Sequence, residues 1–481
     1  MTEIPIKLFA VAVFFAWVPA ILCMFALMRP RRAVIAAFVA GYLLLPEIVY
    51  RFHAVPDVNK GTLTAFGVLL GSLIFDGARL FRVRPRLIDL PWFILMLVPI
   101  GASLSNDLTF MDGLSASLNL FFRWGLAYWI GRTYITDWEG IRELSLGIII
   151  GALAYVPLCW WEIRMSPQLH GWIYGPLFTS FRTDTYLFGV QLFGFRPNVF
   201  LADGLTVTMY MGISAVLAYW AWMSGSPKRL LGMPMGAIAL TLIITAFFSK
   251  AVGGIVLMGL GMTVLTLTRW PKTRLPALIL MLAAPAYVTL RSAGDWSGEV
   301  LVNAANAVSP TRAESLEFRL RNENLLTAKA LQHPLLGWAG WSRSHVYDLE
   351  NNDITIIDGL WIILIGETGL LGLAAFTTMV IGSAILLWKR IPTRYWSDPA
   401  CSAAVALAVV ITMYMIDSLF NSTFNPVTAL AIGAVASIGA VAKSVFSRSA
   451  QRSVPFATPA YAGATALVAS PKDLPYVYST Y

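Results

Sequence analysis

Apolar runs of roughly 17–22 residues recur along the whole chain, and each is long enough to cross a hydrocarbon core of about 30 Å as a helix. No water is present there to satisfy backbone amides and carbonyls, so a spanning segment must be a helix or part of a closed barrel. The polar–apolar alternation in segments of about ten residues that a barrel requires is absent. The fold class is therefore all-α, a polytopic membrane helix bundle of about 12–13 transmembrane helices. The expected spans lie near 6–27, 33–50, 62–79, 90–106, 114–131, 143–162, 199–223, 233–249, 251–268, 275–290, 359–388, 401–420 and 425–445. Composition agrees: 13% of residues are charged, against about a quarter in soluble chains.

Basic residues orient the spans. Arg29, Arg31 and Arg32, then Arg79, Arg82, Arg84 and Arg86, Arg132 and Arg142, Lys228 and Arg229, Arg269, Lys272 and Arg274, and Lys389, Arg390 and Arg394 occupy short connections. With Lys443 at the end of the last span and Arg448, Arg452 and Lys472 beyond it, they make up most of the 35 Lys and Arg, so these connections mark the cytoplasmic side. Alternation then puts Met1 outside and Tyr481 inside, and it demands a tight outer turn at Ser249-Lys250. The first span has no small-residue cleavage site and reads as a retained signal-anchor. The net charge of +9 resides in these loops, which excludes nucleic acid as a partner because no soluble basic domain exists to carry it. Cys23, Cys159 and Cys401 fall in apolar runs and form neither a disulfide framework nor a metal spacing, so no metal or other cofactor is expected. Residues 1–450 make one transmembrane bundle. Residues 451–481, with Pro455, Pro459, Pro471 and Pro475 among small residues, read as a flexible cytoplasmic tail.

Two outer segments exceed turn length, 163–198 and 291–358. Within "SLEFRLRNENLLTAKALQHP" Leu316, Leu320, Leu325, Leu326 and Leu331 recur at roughly helical spacing, and Glu317 and Arg321 pair at i, i+4. The pattern predicts an amphipathic helix near the outer surface, with Arg319, Arg321 and Lys329 on its polar face. Such cations rest on lipid headgroups or, joined by Lys250, Arg164, Arg182 and Arg196, line an outward-facing cavity suited to a phosphate-bearing lipid.

"TIIDGLWIILIGETGLLGL" (355–373) adds two acids. Asp358 stands where a helix N-cap belongs, its carboxylate accepting from free backbone N–H groups. Glu367 lies about 13 Å deeper, where an ionisable group is a functional-site candidate by default. Gly366, Gly369 and Gly372 place a smooth strip on that helix for close packing. His170, His333 and His345 are further outer-side candidates for a base. Asp348, Glu350, Asp353 and Asp358 offer oxygen ligands to a divalent cation in the alternative reading. Trp338 and Trp341 suit either sugar stacking or interfacial anchoring.

An outer-loop helix with an Arg, then "HPLLGWAGW" (333–341), then a polar residue eleven positions before a Gly-x-x-Gly resembles the O-antigen ligase and Wzy-type O-antigen polymerase family of bacterial envelopes, GT-C-like membrane glycosyltransferases. "GFRPNVFLADGL" (194–205) and the Ser-Lys of "FFSKAVGG" (247–254) also look like family signatures, the latter usually Ser-Arg. The ligase-like region covers about 190–390. The resemblance implies a multi-pass enzyme of the bacterial inner membrane that transfers a glycan, on the periplasmic face, from an undecaprenyl-diphosphate donor to an acceptor sugar hydroxyl. It implies no metal, and partners among a glycan or lipid-linked acceptor, the bilayer and other polysaccharide assembly proteins. By position Lys250 and Arg319 would hold the diphosphate, with Arg321 one turn away as the alternative. Arg196, Arg182, Lys329, Glu367 and His345 would contact substrate. The family's catalytic His falls at Asp358 and its usual Asn at Gly359, a departure that leaves three readings: Asp358 as the base, a non-catalytic relative, or a flippase or transporter of the same lipid-linked glycan.

Overall fold

The computed structural model describes residues 7–451, apart from 53–54, 177–185, 188–189, 192, 270–272, 294–295, 309 and 341. Arg182, Lys272, Trp341 and the predicted tail beyond Gln451 lie outside the described residues. The chain winds into α1 (Leu8–Leu27), α2 (Pro30–Leu44), α3 (Lys60–Leu80), α4 (Leu90–Ser105), α5 (Phe110–Leu120), α6 (Leu126–Tyr134), α7 (Trp138–Met165), α8 (Leu169–Ile173) and α9 (Gly204–Ser224). It continues through α10 (Met235–Phe248), α11 (Val252–Arg269), α12 (Leu275–Ser292), α13 (Glu299–Val308), α14 (Pro310–Ala330), α15 (Leu360–Arg390), α16 (Ser402–Phe420) and α17 (Pro426–Gln451). The bundle is the compact unit Met1–Lys443, and Ser444–Tyr481 is a separate small unit.

Among the described residues nine helices are long and apolar enough to cross a membrane, and α10 and the Pro426–Gly439 part of α17 are shorter apolar helices. This is a polytopic α-helical membrane protein. Large apolar side chains such as Leu97 and Ile279 are about 60% exposed on the outside of the bundle, the surface that lipid solvates at no cost. The run expected at 114–131 is continuous from α5 to α6 through a π-helical turn at Phe121–Gly125. The span expected at 33–50 ends early, at Leu44. Pro46 follows closely and has no N–H to extend the ladder. Val49–Phe52 then pairs antiparallel with Val55–Asn59, and Asn59 caps α3 by accepting from the N–H groups of Gly61 and Thr62.

The helices alternate between two ends. At one end short connections are tied together: the Arg31 guanidinium donates to Asp137, Arg269 to the Met223 carbonyl and Arg274 to the Ile391 carbonyl. There Asp89, fully buried, receives two bonds from Arg132 (2.7 and 2.8 Å) and one from the Tyr128 hydroxyl (2.7 Å). The other end carries the long segments. The turn expected at Ser249-Lys250 is there, Lys250 taking φ +62° between α10 and α11.

The outer-segment helix runs from Pro310 to Ala330, and its seam differs from the leucine stripe read in the sequence. Leu320 and Leu326 are buried, but Leu325 and Leu331 are exposed, and Asn322, Glu323 and Thr327 face inward. The reason is Glu323. Its carboxylate accepts from the Tyr287 hydroxyl (2.7 Å) and from Arg291 (3.2 Å) of α12, which also donates to the Leu320 carbonyl. A polar residue with its own partners can occupy the seam, and here it sets the rotation of α14.

α15 is broken. Gly369 adopts φ +64°, ψ −168°, a conformation almost confined to glycine. An unbroken helix would join Leu370 N–H to the Gly366 carbonyl and Leu371 N–H to that of Glu367. Instead the loop 334–339 lies in the gap. Trp338 and Ala339 donate to the Gly366 and Glu367 carbonyls (2.8 and 3.1 Å), while Leu370 and Leu371 donate to those of Pro334 and Leu335 (2.8 and 3.2 Å). Gly337, at φ +72°, lies within van der Waals reach of the Gly369 backbone, and a Cβ on Gly369 would collide with the Leu335 carbonyl. Gly369→Ala is therefore expected to cost at least the roughly 1–3 kcal/mol of such backbone strain, read as a clear fall in melting temperature in detergent. A variant that melts with the wild type would show that the loop is not seated in the break.

Candidate functional site

At the loop-bearing end a shallow cleft opens between α14, the segment 356–359, α15 and the end of α16, lined by Arg319, Glu323, Asp358, Ile362 and Phe420 among others. Arg319 and Asp358 meet at 3.1 Å, each side chain partly solvent-exposed, and Arg319 also donates to the Phe420 carbonyl (3.4 Å). Asp358 is not the helix cap that its position suggested. Gly359 is the N-cap, no side chain caps α15, and the Leu360 N–H is taken by the Asn421 carbonyl (3.3 Å). The acid is left to face the cation. Burial raises the Glu323 carboxyl above its usual range, against the hydroxyl of Tyr287 and the charge of Arg291.

Lys250 occupies a second position at this end. It is 1% exposed, its ammonium donates to the Gly194 carbonyl, and it does not line the cleft of Arg319. Arg196, also buried, packs its side chain on Gly204 at the start of α9. One turn on, the Thr208 hydroxyl donates to the Ser249 carbonyl (3.1 Å), so Lys250 and Arg196 gather around the first turn of α9. The α9 cap, Asp203, and Arg319 both act electrostatically on Asp417 at the end of α16. Asp417 is buried and accepts from Asn421 (2.8 Å) and Thr423.

Glu162, 1% exposed, shapes the segment that carries Arg196. Its carboxylate accepts from the backbone N–H groups of Leu169, Asn198 and Val199 (2.9, 2.8 and 2.7 Å). Sequence reading passed over Glu162 and Asp417 because each sits in an apolar run near a helix end. The rule that singled out Glu367, an acid within a span, selects both.

The remaining candidates disperse. Arg321 is exposed and pairs with Glu317 at 3.9 Å. Lys329 lies 3.8 Å from the Trp338 ring centroid, and His333 packs on the same ring. His170 is buried between the Glu47 N–H and the Gly175 carbonyl, and burial pushes its pKa down, so it braces the loop as a neutral ring. His345 pairs with Asp353, whose other oxygen accepts from Thr355. Burial tends to raise the Asp353 carboxyl, but the bonds from His345 and Thr355 hold it below its usual range. Asp348 is held by the backbone and side chain of Asn352, and no group of three or more potential ligands for a metal occurs among the described residues.

Chemically the cleft pairs a persistent cation with an acid within reach of solvent, on a helix fixed from behind by the Glu323–Arg291 pair. Removing one partner of a buried pair costs about 3–5 kcal/mol. Glu323→Ala is expected to lower the melting temperature by that margin and to speed hydrogen exchange in α14, with Glu323→Gln milder because it keeps an acceptor for Tyr287. Equal melting of Glu323→Ala and wild type would assign the docking of α14 to the backbone contacts of Arg291 alone. No protein-family model matches this chain, and no curated protein matches it.

Proposed function

We propose that the protein is an envelope polysaccharide polymerase or ligase of the bacterial cytoplasmic membrane, with the Arg319–Asp358 cleft facing the periplasm. It would transfer a glycan from a polyprenyl-diphosphate donor to an acceptor sugar hydroxyl. The observation that carries the reading is an arginine paired with an acid at the mouth of a cleft, at the bundle end opposite the short basic connections.

In this reaction a diphosphate oxygen takes the Arg319 guanidinium, which grips phosphate in two-point fashion, and Asp358 is released from its partner. The acceptor hydroxyl oxygen forms a bond to the anomeric carbon as the bond from that carbon to the diphosphate oxygen breaks. The hydroxyl proton passes to Asp358, and the electron pair leaves with the diphosphate, whose charge Arg319 neutralises. Lys250 and Arg196 contribute positive potential from beneath the surface. Their burial assigns them to holding the 194–204 segment and to a longer-range field.

With purified protein and lipid-linked glycan, Asp358→Asn is expected to lose about 10²–10⁴-fold in transfer and Arg319→Ala to raise the donor KM. If Asn serves as well as Asp, the carboxylate is not the base. Deletion in cells should leave shortened surface chains for a polymerase and unattached full-length chains for a ligase, whereas unchanged polysaccharide would refute the proposal.

A further inference from the structure

The Arg319–Asp358 cleft touches α16 at its last residue, Phe420. At the first turn of the same helix, at the end of the short basic connections, a second pocket lies between α7, α9 and α16. One face of α7 lines it with Arg142, Ser145, Leu146 and Ile149, spaced i, i+3, i+4 and i+7. Ser402 and Ala403 reach it from α16, and Ser226 from the end of α9. Gly225 closes α9 in the left-handed region (φ +69°), and the Ser226 N–H turns back to the Ala221 carbonyl (3.0 Å). That cap holds Ser226 over the last turn of α9.

Two of the polar groups have no partner. Ser145 is 5% exposed, and its hydroxyl, like the Arg142 Nε, is buried without a hydrogen bond among the described residues. A serine or threonine inside a helix ordinarily turns its hydroxyl back to the carbonyl four residues before, as Thr208, Ser214 and Ser418 do here. Ser145 does not. Arg142 reaches Glu139 through Nη1 at 3.7 Å, with both side chains well exposed, so that pair is weak and leaves the Nε unused. No side chain caps α16, and the Ala403 N–H has no acceptor among the described residues, so the positive end of the helix opens on the pocket. The acid just before α16, Asp398, accepts from the Ala400 N–H (2.9 Å) and does not line the pocket.

The lining therefore holds one guanidinium, three hydroxyls and a helix N-terminus, with no carboxylate. A permanent cation surrounded by donors selects an anionic oxygen group of the phosphate kind. The rest of the wall is apolar, and Leu146, Ile149 and Leu217 lie farther from their helix ends than the polar groups do. A free anion has no use for that surface, whereas an acyl chain does. Lys228 and Arg229, exposed directly after Pro227 of the lining, add the positive potential that draws anionic lipid to a membrane boundary. We propose that this pocket holds the phosphate of an anionic membrane phospholipid, with Arg142 and Ser145 on its oxygens and Leu146, Ile149 and Leu217 along its chains. The site stands apart from the transfer reaction, at the opposite end of the bundle.

The test is native mass spectrometry of the purified full chain in detergent, titrated with phosphatidylglycerol, with diacylglycerol of the same chains, and with inorganic phosphate as competitor. Phosphatidylglycerol is expected to bind roughly tenfold more tightly than diacylglycerol, and equimolar phosphate to leave it in place. Arg142→Gln and Ser145→Ala are each expected to weaken phospholipid binding roughly fivefold, and Arg142→Lys less than Arg142→Gln, which loses the charge. Arg394→Gln, which removes an exposed cation at the same end outside the pocket, is expected to bind as the wild type does. If Ser145→Ala melts early in the lipid-free state, Arg142→Gln, altered at the solvent edge, carries the test alone. Equal binding of diacylglycerol marks an apolar crevice, and displacement by equimolar phosphate marks a free-anion site. Wild-type affinity in Arg142→Gln, or an equal loss in Arg394→Gln, marks attraction to the basic surface at large. Each of these results overturns the proposal.

Discussion

The insertion of a loop into a broken helix is the constraint on which the loop-bearing end depends. A span interrupted in the hydrocarbon would strand two N–H groups and two carbonyls, each at a cost of several kcal/mol. Here the loop 334–339 replaces both missing helical bonds with four of its own. Asn106 at the end of α4 holds the same loop through the Gly337 carbonyl (2.8 Å). The loop is thereby anchored on α15 and α4 together, and the segment 342–359 leaves from a fixed point. From there the segment returns to its neighbours, Ser344 abutting Gly366 of α15 and Asp358 meeting Arg319 of α14.

Around this anchor the end is assembled from buried charges, each with an assigned partner. Lys60 pairs with Glu47 (2.6 Å) and donates to the Phe200 carbonyl, Glu162 gathers the backbone N–H groups of Leu169, Asn198 and Val199, and Arg291 joins Glu323. Buried pairs of this kind contribute little net stability against a well-packed apolar alternative. Their effect is positional: they fix the rotation of α14 and the path into α9, which apolar packing on a lipid-solvated bundle leaves loosely specified.

This separates what the sequence discloses from what it hides. Length and apolarity alone determine a span, so α1, α4, α9, α12 and α16 fall close to their expected bounds, as does the turn at Lys250, demanded by alternation. Pro46 ended α2 sooner than hydropathy indicated, because hydropathy does not register a missing N–H. The α14 seam departs from the leucine stripe for a related reason: periodicity counts apolar residues, whereas Glu323 enters the seam through partners 32 and 36 residues away. Arg319 and Asp358 were legible from their setting. Their pairing was not, since the cap reading of Asp358 depends on where the helix starts, and Asn421 of another helix takes the first free N–H. The triple-glycine strip looked like a packing face, and only the loop lying across it identifies one glycine as a break.

The two acids of α15 then have separate reasons to exist. Asp358 stands before the helix and meets Arg319 from α14. Glu367 lies five residues beyond Ile362, about 140° around the helix from that wall of the cleft. Between them the helix is regular, and just after Glu367 it breaks, with the Glu367 carbonyl already given to Ala339. Asp358 thus precedes a two-turn rod and Glu367 stands near its end, which the inserted loop holds in place.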